Sequence, residues 1–253
     1  MATYEDWAIC LQRIDYSETS QVAVVLTREH GKQRLIAKGI KKGRKDHVAV
    51  GLDLLEFGRV QYVRRPESPE TLGTLTGWRQ RETFAGLRRD MLGVYGGQYA
   101  AEIVGQLTED GDPHPGLFDA MVGLLESLAE RPSLGLLAGF QRSLLEEIGL
   151  MPAFGRCVGC SLATGQARSL HLTAREGGLL CENCEGARVE KFRLGRGALA
   201  GCRLGAVAST SEAYEAFEML DYYLTETMGR RSKVSGILKR LGGLARPGGM
   251  GGA

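Results

Sequence analysis

The chain has 253 residues, 43% of them hydrophobic and 25% charged, which is the make-up of a globular protein with a sizeable core and roughly one to three domains. Its 32 Lys and Arg against 30 Asp and Glu leave a net charge of +2, and only four histidines are present, which limits histidine-based catalysis. No apolar run approaches a membrane span, and Met1-Ala2-Thr3-Tyr4-Glu5-Asp6 lacks the basic start and apolar core of a signal peptide, so a cytoplasmic protein without a membrane partner is expected.

The first third reads as β. Trp7, Ile9 and Leu11 alternate with Ala8, Cys10 and Gln12, and Gln21 to Thr27 is a β-branched run. Arg28 to Gly31 is a turn with Gly31 at positive φ, and the chain returns as a strand over Gln33 to Ile40. Lys41 to Asp46 is a glycine-broken basic loop, and Val48 to Phe57 and Val60 to Arg64 complete about five strands, the number of a small OB-type barrel, over 1–78. After Pro66 and Pro69 the period becomes helical: Phe84, Leu87, Met91, Tyr95, Tyr99, Ile103 and Leu107 form one stripe, and Asp110 to Pro115 breaks it. Leu117, Met121, Leu124, Leu125 and Leu128 mark a second helix. Pro132 opens a third, with Leu136, Phe140, Leu144 and Ile148 before Gly149. Helices resume from Ser211 through Tyr214, Phe217, Leu220 and Leu224, and the glycine-rich stretch 242–253 reads as a disordered tail.

Between these helices lie Cys157-Val158-Gly159-Cys160 and Cys181-Glu182-Asn183-Cys184. Two C-x-x-C knuckles can place four thiolates at the corners of the tetrahedron that zinc prefers, and a site closed by four sulfurs is a structural staple with no open position for chemistry. Two disulfides in an oxidising compartment or a redox pair are the competing readings. His171, between the pairs, is a possible substitute ligand but more often such a histidine is a surface residue. Cys10 and Cys202 sit in apolar surroundings and read as buried thiols. The expected fold is α+β multidomain: the barrel, a helical domain over 79–155 and 191–241, and a zinc module inserted at 156–190.

The near-neutral total hides a local bias. Between Arg28 and Arg65 the cations are Arg28, Lys32, Arg34, Lys38, Lys41, Lys42, Arg44, Lys45, Arg59, Arg64 and Arg65, against Glu29, Asp46, Asp53 and Glu56. Such a concentration fits a polyanion, with a solvated charged face as the alternative. Lys32, Arg34, Lys38, Lys41, Lys42, Arg44 and Lys45, with Arg64, Arg65, Arg88 and Arg89, are the expected DNA contacts. Arg88-Arg89 and Arg230-Arg231, with Lys233, Lys239 and Arg240, either extend the path over the helical domain or form a solvated helix surface. Tyr16, Phe57 and Tyr62 are the aromatics available for base stacking, although the strand period favours core positions for them. Many cations with few aromatics favour sequence-neutral backbone binding, which leaves base edges free to pair.

Enzyme readings find little support. There is no G-x-x-x-x-G-K-[ST], and no histidine has Glu two residues on, as a zinc deaminase needs. Gly195-Arg196-Gly197-Ala198-Leu199-Ala200 fits G-x-G-x-x-A but follows no βαβ pattern, so it reads as a loop leading into a helix. No catalytic residue is expected. A zinc-ribbon adaptor whose barrel binds another protein's acidic surface is the runner-up to a DNA-binding and annealing protein.

The order of these parts resembles the RecO family of bacterial recombination mediators. Asp15-Tyr16-Ser17-Glu18-Thr19-Ser20 with Val24 to Gly31 is similar to the family's first hairpin, and Ile36-Ala37-Lys38-Gly39 to its "V-A-K-G" strand end. Leu144 to Pro152 ahead of Cys157 resembles the "L-L-x-x-L-G-x-x-P…C-x-x-C" junction, and Ser235 matches a late "K-S" element. The resemblance implies a DNA repair protein that binds single- and double-stranded DNA and anneals complementary strands. It further implies that the protein works with RecR to load RecA onto DNA coated by single-stranded DNA-binding protein (SSB), and docks the SSB C-terminal tail. One departure is that Leu137-Ala138-Gly139, and no cation, precede Phe140, with Arg142 the nearest.

Overall fold

The computed structural model describes residues 2–16, 20–38, 52–65, 71–204 and 208–244. Strands β1 (Ala2–Asp15), β2 (Ser20–Thr27), β3 (Gly31–Lys38), β4 (Phe57–Arg64) and β5 (Gly73–Glu82) close a barrel in the order β1-β2-β3-β5-β4. The length of β1 makes closure possible: its first half pairs with β4 and its second half with β2. A short parallel contact, Leu35 with Gly73 and Ile36 with Thr74, seals the ring. Ala8, Cys10 and Ala23 supply small side chains to the lumen, Val25 and Val60 intermediate ones, and Leu35, Tyr62 and Trp78 large ones, so the five-stranded interior fills without a channel.

Two sequence expectations are corrected in the barrel. The predicted strand Val48 to Phe57 is not formed over its described part: Leu52 to Glu56 turn, with Leu55 at φ 67 donating its N–H to the Cys10 carbonyl at 2.8 Å. The fifth strand is Gly73–Glu82 instead, inside a stretch expected to be helical and running past the boundary set at 78. Its register shifts opposite Gln61 and Tyr62, so its apolar residues Leu75 and Trp78 fall out of the period-2 alternation that marks a strand.

Helix α1 (Met91–Leu107) begins later than the apolar stripe suggests, because Phe84 is left-handed at φ 47 and a 3₁₀ turn covers Ala85–Arg89. Asp90 then caps α1, its carboxylate accepting from the N–H groups of Leu92 and Gly93. Helices α2 (Pro115–Glu130), α3 (Leu134–Glu147, capped by Ser133) and α5 (Thr210–Met228, opened by a Ser209/Glu212 capping box) follow the predicted stripes, with short α4 (Ala198–Leu204) before α5. Gly195 to Ala200 is indeed a loop entering a helix, with Gly197 N–H donating to Glu215. Helix α6 (Ser235–Leu244) carries Gly242 in a buried position, so the first residues of the expected tail 242–253 are helical; the rest of that stretch lies outside the described residues. A buried hydrogen-bonded group ties four helices together: Gln141 donates to the Tyr99 hydroxyl, which donates to Asp221, and Lys239 meets the other Asp221 oxygen at 2.8 Å.

The barrel and the helices share one core. Ile9, Leu11 and Leu26, which point out of the barrel from β1 and β2, pack in the same cluster as Ile103, Val104 and Met121. Lys32 locks the junction. Its ammonium donates to the carbonyls of Gly105, at 2.9 Å, and Thr108 in the last turn of α1, and lies 3.4 Å from Asp110. A cation there satisfies helix carbonyls that have no intrahelical partner and complements the negative end of the macrodipole. Arg34 Nε meets the other Asp110 oxygen at 2.8 Å, and Arg28 forms a two-point pair with Asp119 on α2. Gly31, at φ 66, lets the hairpin reach this loop: a Cβ there would lie 2.1 Å from the Asp112 carbonyl oxygen.

Replacing Lys32 with Met should lower stability by about 2–4 kcal/mol in urea unfolding, because buried carbonyls and Asp110 lose a charged donor. A loss within about 0.5 kcal/mol, the range of ordinary surface substitutions, would contradict this role.

Candidate metal centre and nucleic-acid interface

The cysteine module is a four-stranded sheet of order β6-β8-β7-β9, with β6 (Ala153–Cys157), β7 (Leu170–Thr173), β8 (Gly178–Cys181) and β9 (Phe192–Arg193), somewhat wider than the expected 156–190. Cys157 ends β6 and Cys181 ends β8, so each knuckle turns off a strand end and the two turns face each other. Gly159 permits this approach, since a Cβ would lie 3.0 Å from Cys184 Sγ. The sulfur atoms of Cys157, Cys160, Cys181 and Cys184 lie within 4.8 Å of one another, and Cys160 and Cys181 are 3.7 Å apart. A zinc–thiolate bond of about 2.3 Å gives a tetrahedron edge of about 3.8 Å, so the donor set and its size fit one tetrahedral ion.

The thiols are unequal. Burial pushes Cys157 up, but N–H groups of Cys181, Cys160 and Gly159, with the Cys160 thiol, outweigh it and bring Cys157 down to about 6. Cys184 is pushed up to about 12, chiefly by its hydrogen bond to Cys160. A central cation favours the thiolate at every position, so metal binding here releases protons. His171 is buried in β7, outside this cluster, and burial holds its pKa down; it is not the surface residue expected. Cys10 and Cys202 are buried thiols, as expected, and burial raises both. The module docks on α5 through Phe192, stacked on Tyr222, and through Glu190, which accepts hydrogen bonds from Tyr222, Thr173 and the N–H groups of Ala174 and Arg175.

The expected DNA contacts separate into three groups. Lys32 and Arg64 are buried; Lys32 serves α1, and Arg64 donates to Gln33 at 2.7 Å with its guanidinium 5.5 Å from the Tyr4 ring centre. Arg34 is exposed but paired with Asp110, while Arg65, Arg88 and Arg89 are exposed; Lys38 ends β3. Lys41, Lys42, Arg44 and Lys45 lie outside the described residues. Of the candidate stacking aromatics, Tyr62 is buried and Phe57 packs against Trp7, Phe84 and Phe118, whereas Tyr16 is 70% exposed. A cleft of about 630 Å³ between the barrel and α1 brings Arg13 and Arg34 together with Arg230 and Lys233, but Asp53 and Glu102 line it too. Lys239 is committed to Asp221.

Both halves of this architecture match one family. The model described as "Recombination protein O N terminal" matches residues 1–84, and "Recombination protein O C terminal" matches 88–235. The chain belongs to the RecO family. Relatives called "DNA repair protein RecO" occur in Anaeromyxobacter sp. (strain K), at 31% identity over 93% of this chain and 96% of that one, and in Myxococcus xanthus (strain DK1622), at 30% over 96% and 99%. The protein of that name from Bacillus subtilis (strain 168) is 31% identical over 70% of this chain and 66% of its own.

Sequence reasoning about this RecO-family chain missed the arginines of β5. Arg79 and Arg81 are exposed on the barrel's outer wall, two apart as strand neighbours on one face must be, and that spacing was the available signal.

Cobalt(II) added to metal-free protein should give the thiolate charge-transfer and ligand-field bands of a tetrahedral site at one ion per chain, and Cys181→Ser should abolish them. Absence of those bands in the parent would contradict a preformed four-sulfur site.

Proposed function

We propose that this protein is a DNA repair and recombination mediator that binds single- and double-stranded DNA and anneals complementary strands without being an enzyme. With RecR it helps RecA load onto SSB-coated DNA, and the SSB C-terminal tail is a further partner. The observation that carries this reading is that both the barrel and the helical domain fall within the RecO family. Its place of work is the bacterial cytoplasm, at the nucleoid.

The residues support a backbone-binding mode. Lys38, which ends β3, is followed in the sequence by Lys41, Lys42, Arg44 and Lys45, and Arg65, Arg88 and Arg89 are exposed cations elsewhere. Contacts to phosphate release counterions and ignore base identity, so two strands can be gathered with their pairing edges free. The four thiolates hold one structural zinc ion, which fastens the strand ends of the module and leaves no position for a substrate.

Annealing of complementary oligonucleotides coated with cognate SSB should accelerate on adding the protein, without nucleotide. Reversing Lys41, Lys42, Arg44 and Lys45 to Glu should reduce the salt slope of single-strand binding by at least about 2.8, at roughly 0.7 per phosphate contact. An unaccelerated reaction, together with no binding to bare strands, would refute the mediator reading. Elemental analysis should find zinc near one per chain, and its removal should lower the melting temperature; zinc near zero in freshly purified protein would refute the metal assignment.

A further inference from the structure

OB barrels commonly receive ligands on the outer face of strands 2 and 3. Here the helical domain occupies much of that face: Leu26 joins the helical core, Val24 packs against it, Lys32 is enclosed by α1, and Arg34 is held by Asp110. Farther round the ring β1, β4 and β5 are neighbours, and their pairing sets Trp7 beside Arg59 and Arg59 beside Arg79 in one cross-strand row. The guanidiniums of Arg59 and Arg81 lie over the Trp7 ring, 4.5 and 5.4 Å from its centre, so the indole orients two cations.

Among the described residues this row is only weakly neutralised. Arg13, Arg28 and Arg34 on the same barrel each have a carboxylate partner, at 3.3 Å or closer. Arg59 reaches Glu5 only at 3.9 Å, and among the described residues Arg79 and Arg81 have no carboxylate in ion-pair range. Like charges directly opposite on neighbouring strands repel, so a sheet that keeps Arg59 against Arg79 carries a cost that a bound polyanion would relieve.

We infer that the β1-β4-β5 wall, through Arg59, Arg79 and Arg81 oriented by Trp7, is a second nucleic-acid backbone site, separate from the basic segment that follows β3. The inference rests on the DNA-binding reading above and extends it: a cationic wall made of residues other than Lys41 to Lys45 gives the protein a further place to hold a single strand. Arg88 and Arg89, exposed in the 3₁₀ turn that follows β5, lie on the chain's continuation from this wall.

The test compares the parent with Arg79→Gln/Arg81→Gln and Arg79→Lys/Arg81→Lys, using a labelled single-stranded oligonucleotide at several salt concentrations and the annealing assay. The Gln pair should lower the salt slope by about 1.4 and slow annealing, and the Lys pair should restore both, since charge is what the site supplies. Oligonucleotide should also change the emission of Trp7 in the parent. A parental slope and annealing rate in the Gln pair would overturn the site, as would loss in both pairs alike. The Glu replacements at 41–45 separate the two readings: binding lost there and untouched in the Gln pair leaves the basic segment standing and removes the wall. Emission moved by polyglutamate and not by DNA would also overturn it, in favour of an acidic protein.

Discussion

A single buried ammonium decides which faces of this molecule are free. Lys32 reaches from β3 into the last turn of α1 and satisfies carbonyls that the helix cannot pair itself, while Asp110 balances its charge. Charge-assisted bonds of this kind are directional, so they fix the rotation of the barrel as well as its contact. With that orientation set, Ile9, Leu11 and Leu26 enter the helical core, and the β2-β3 wall is largely covered. Farther round the ring β4 and β5 carry Arg59, Arg79 and Arg81, the last two exposed and, among the described residues, without a carboxylate in ion-pair range.

The cysteine module illustrates a different way of holding a small unit. Its own apolar core is little more than Cys157, Leu180 and Cys181 with a few partly buried neighbours, too small to order a turn-rich segment by burial alone. The four clustered sulfurs, which could hold a metal ion, stand at one end, and the Phe192–Tyr222 stack with the Glu190 hydrogen bonds fastens the other. Leu172 and Leu179 belong to the main core, so the cysteine module and the helical domain share a packed boundary and support one another.

Much of this was legible in the residues. The C-x-x-C spacing stood out because metal geometry imposes a sequence rule, and the α2, α3 and α5 stripes because each buries one face. The hairpin ending at Gly31 was readable from its need for a positive φ. What escaped had a physical cause in each case. Strand β5 carries a register shift and many charges, so its alternation is broken, while Leu52 to Glu56 is apolar enough to mimic a strand yet folds as a turn capped by Cys10. Lys32 read as a DNA contact because a sequence shows charge and not depth; only the approach of α1, 73 residues away in the chain, makes it a structural cation.

Phenylglyoxal footprinting of arginines, read by mass spectrometry with and without a single-stranded oligonucleotide, tests the arrangement most directly. Arg59, Arg79 and Arg81 are predicted to be protected by DNA, while Arg28, already paired with Asp119, keeps its reactivity unchanged. Equal modification of the three wall arginines with and without DNA would contradict the account.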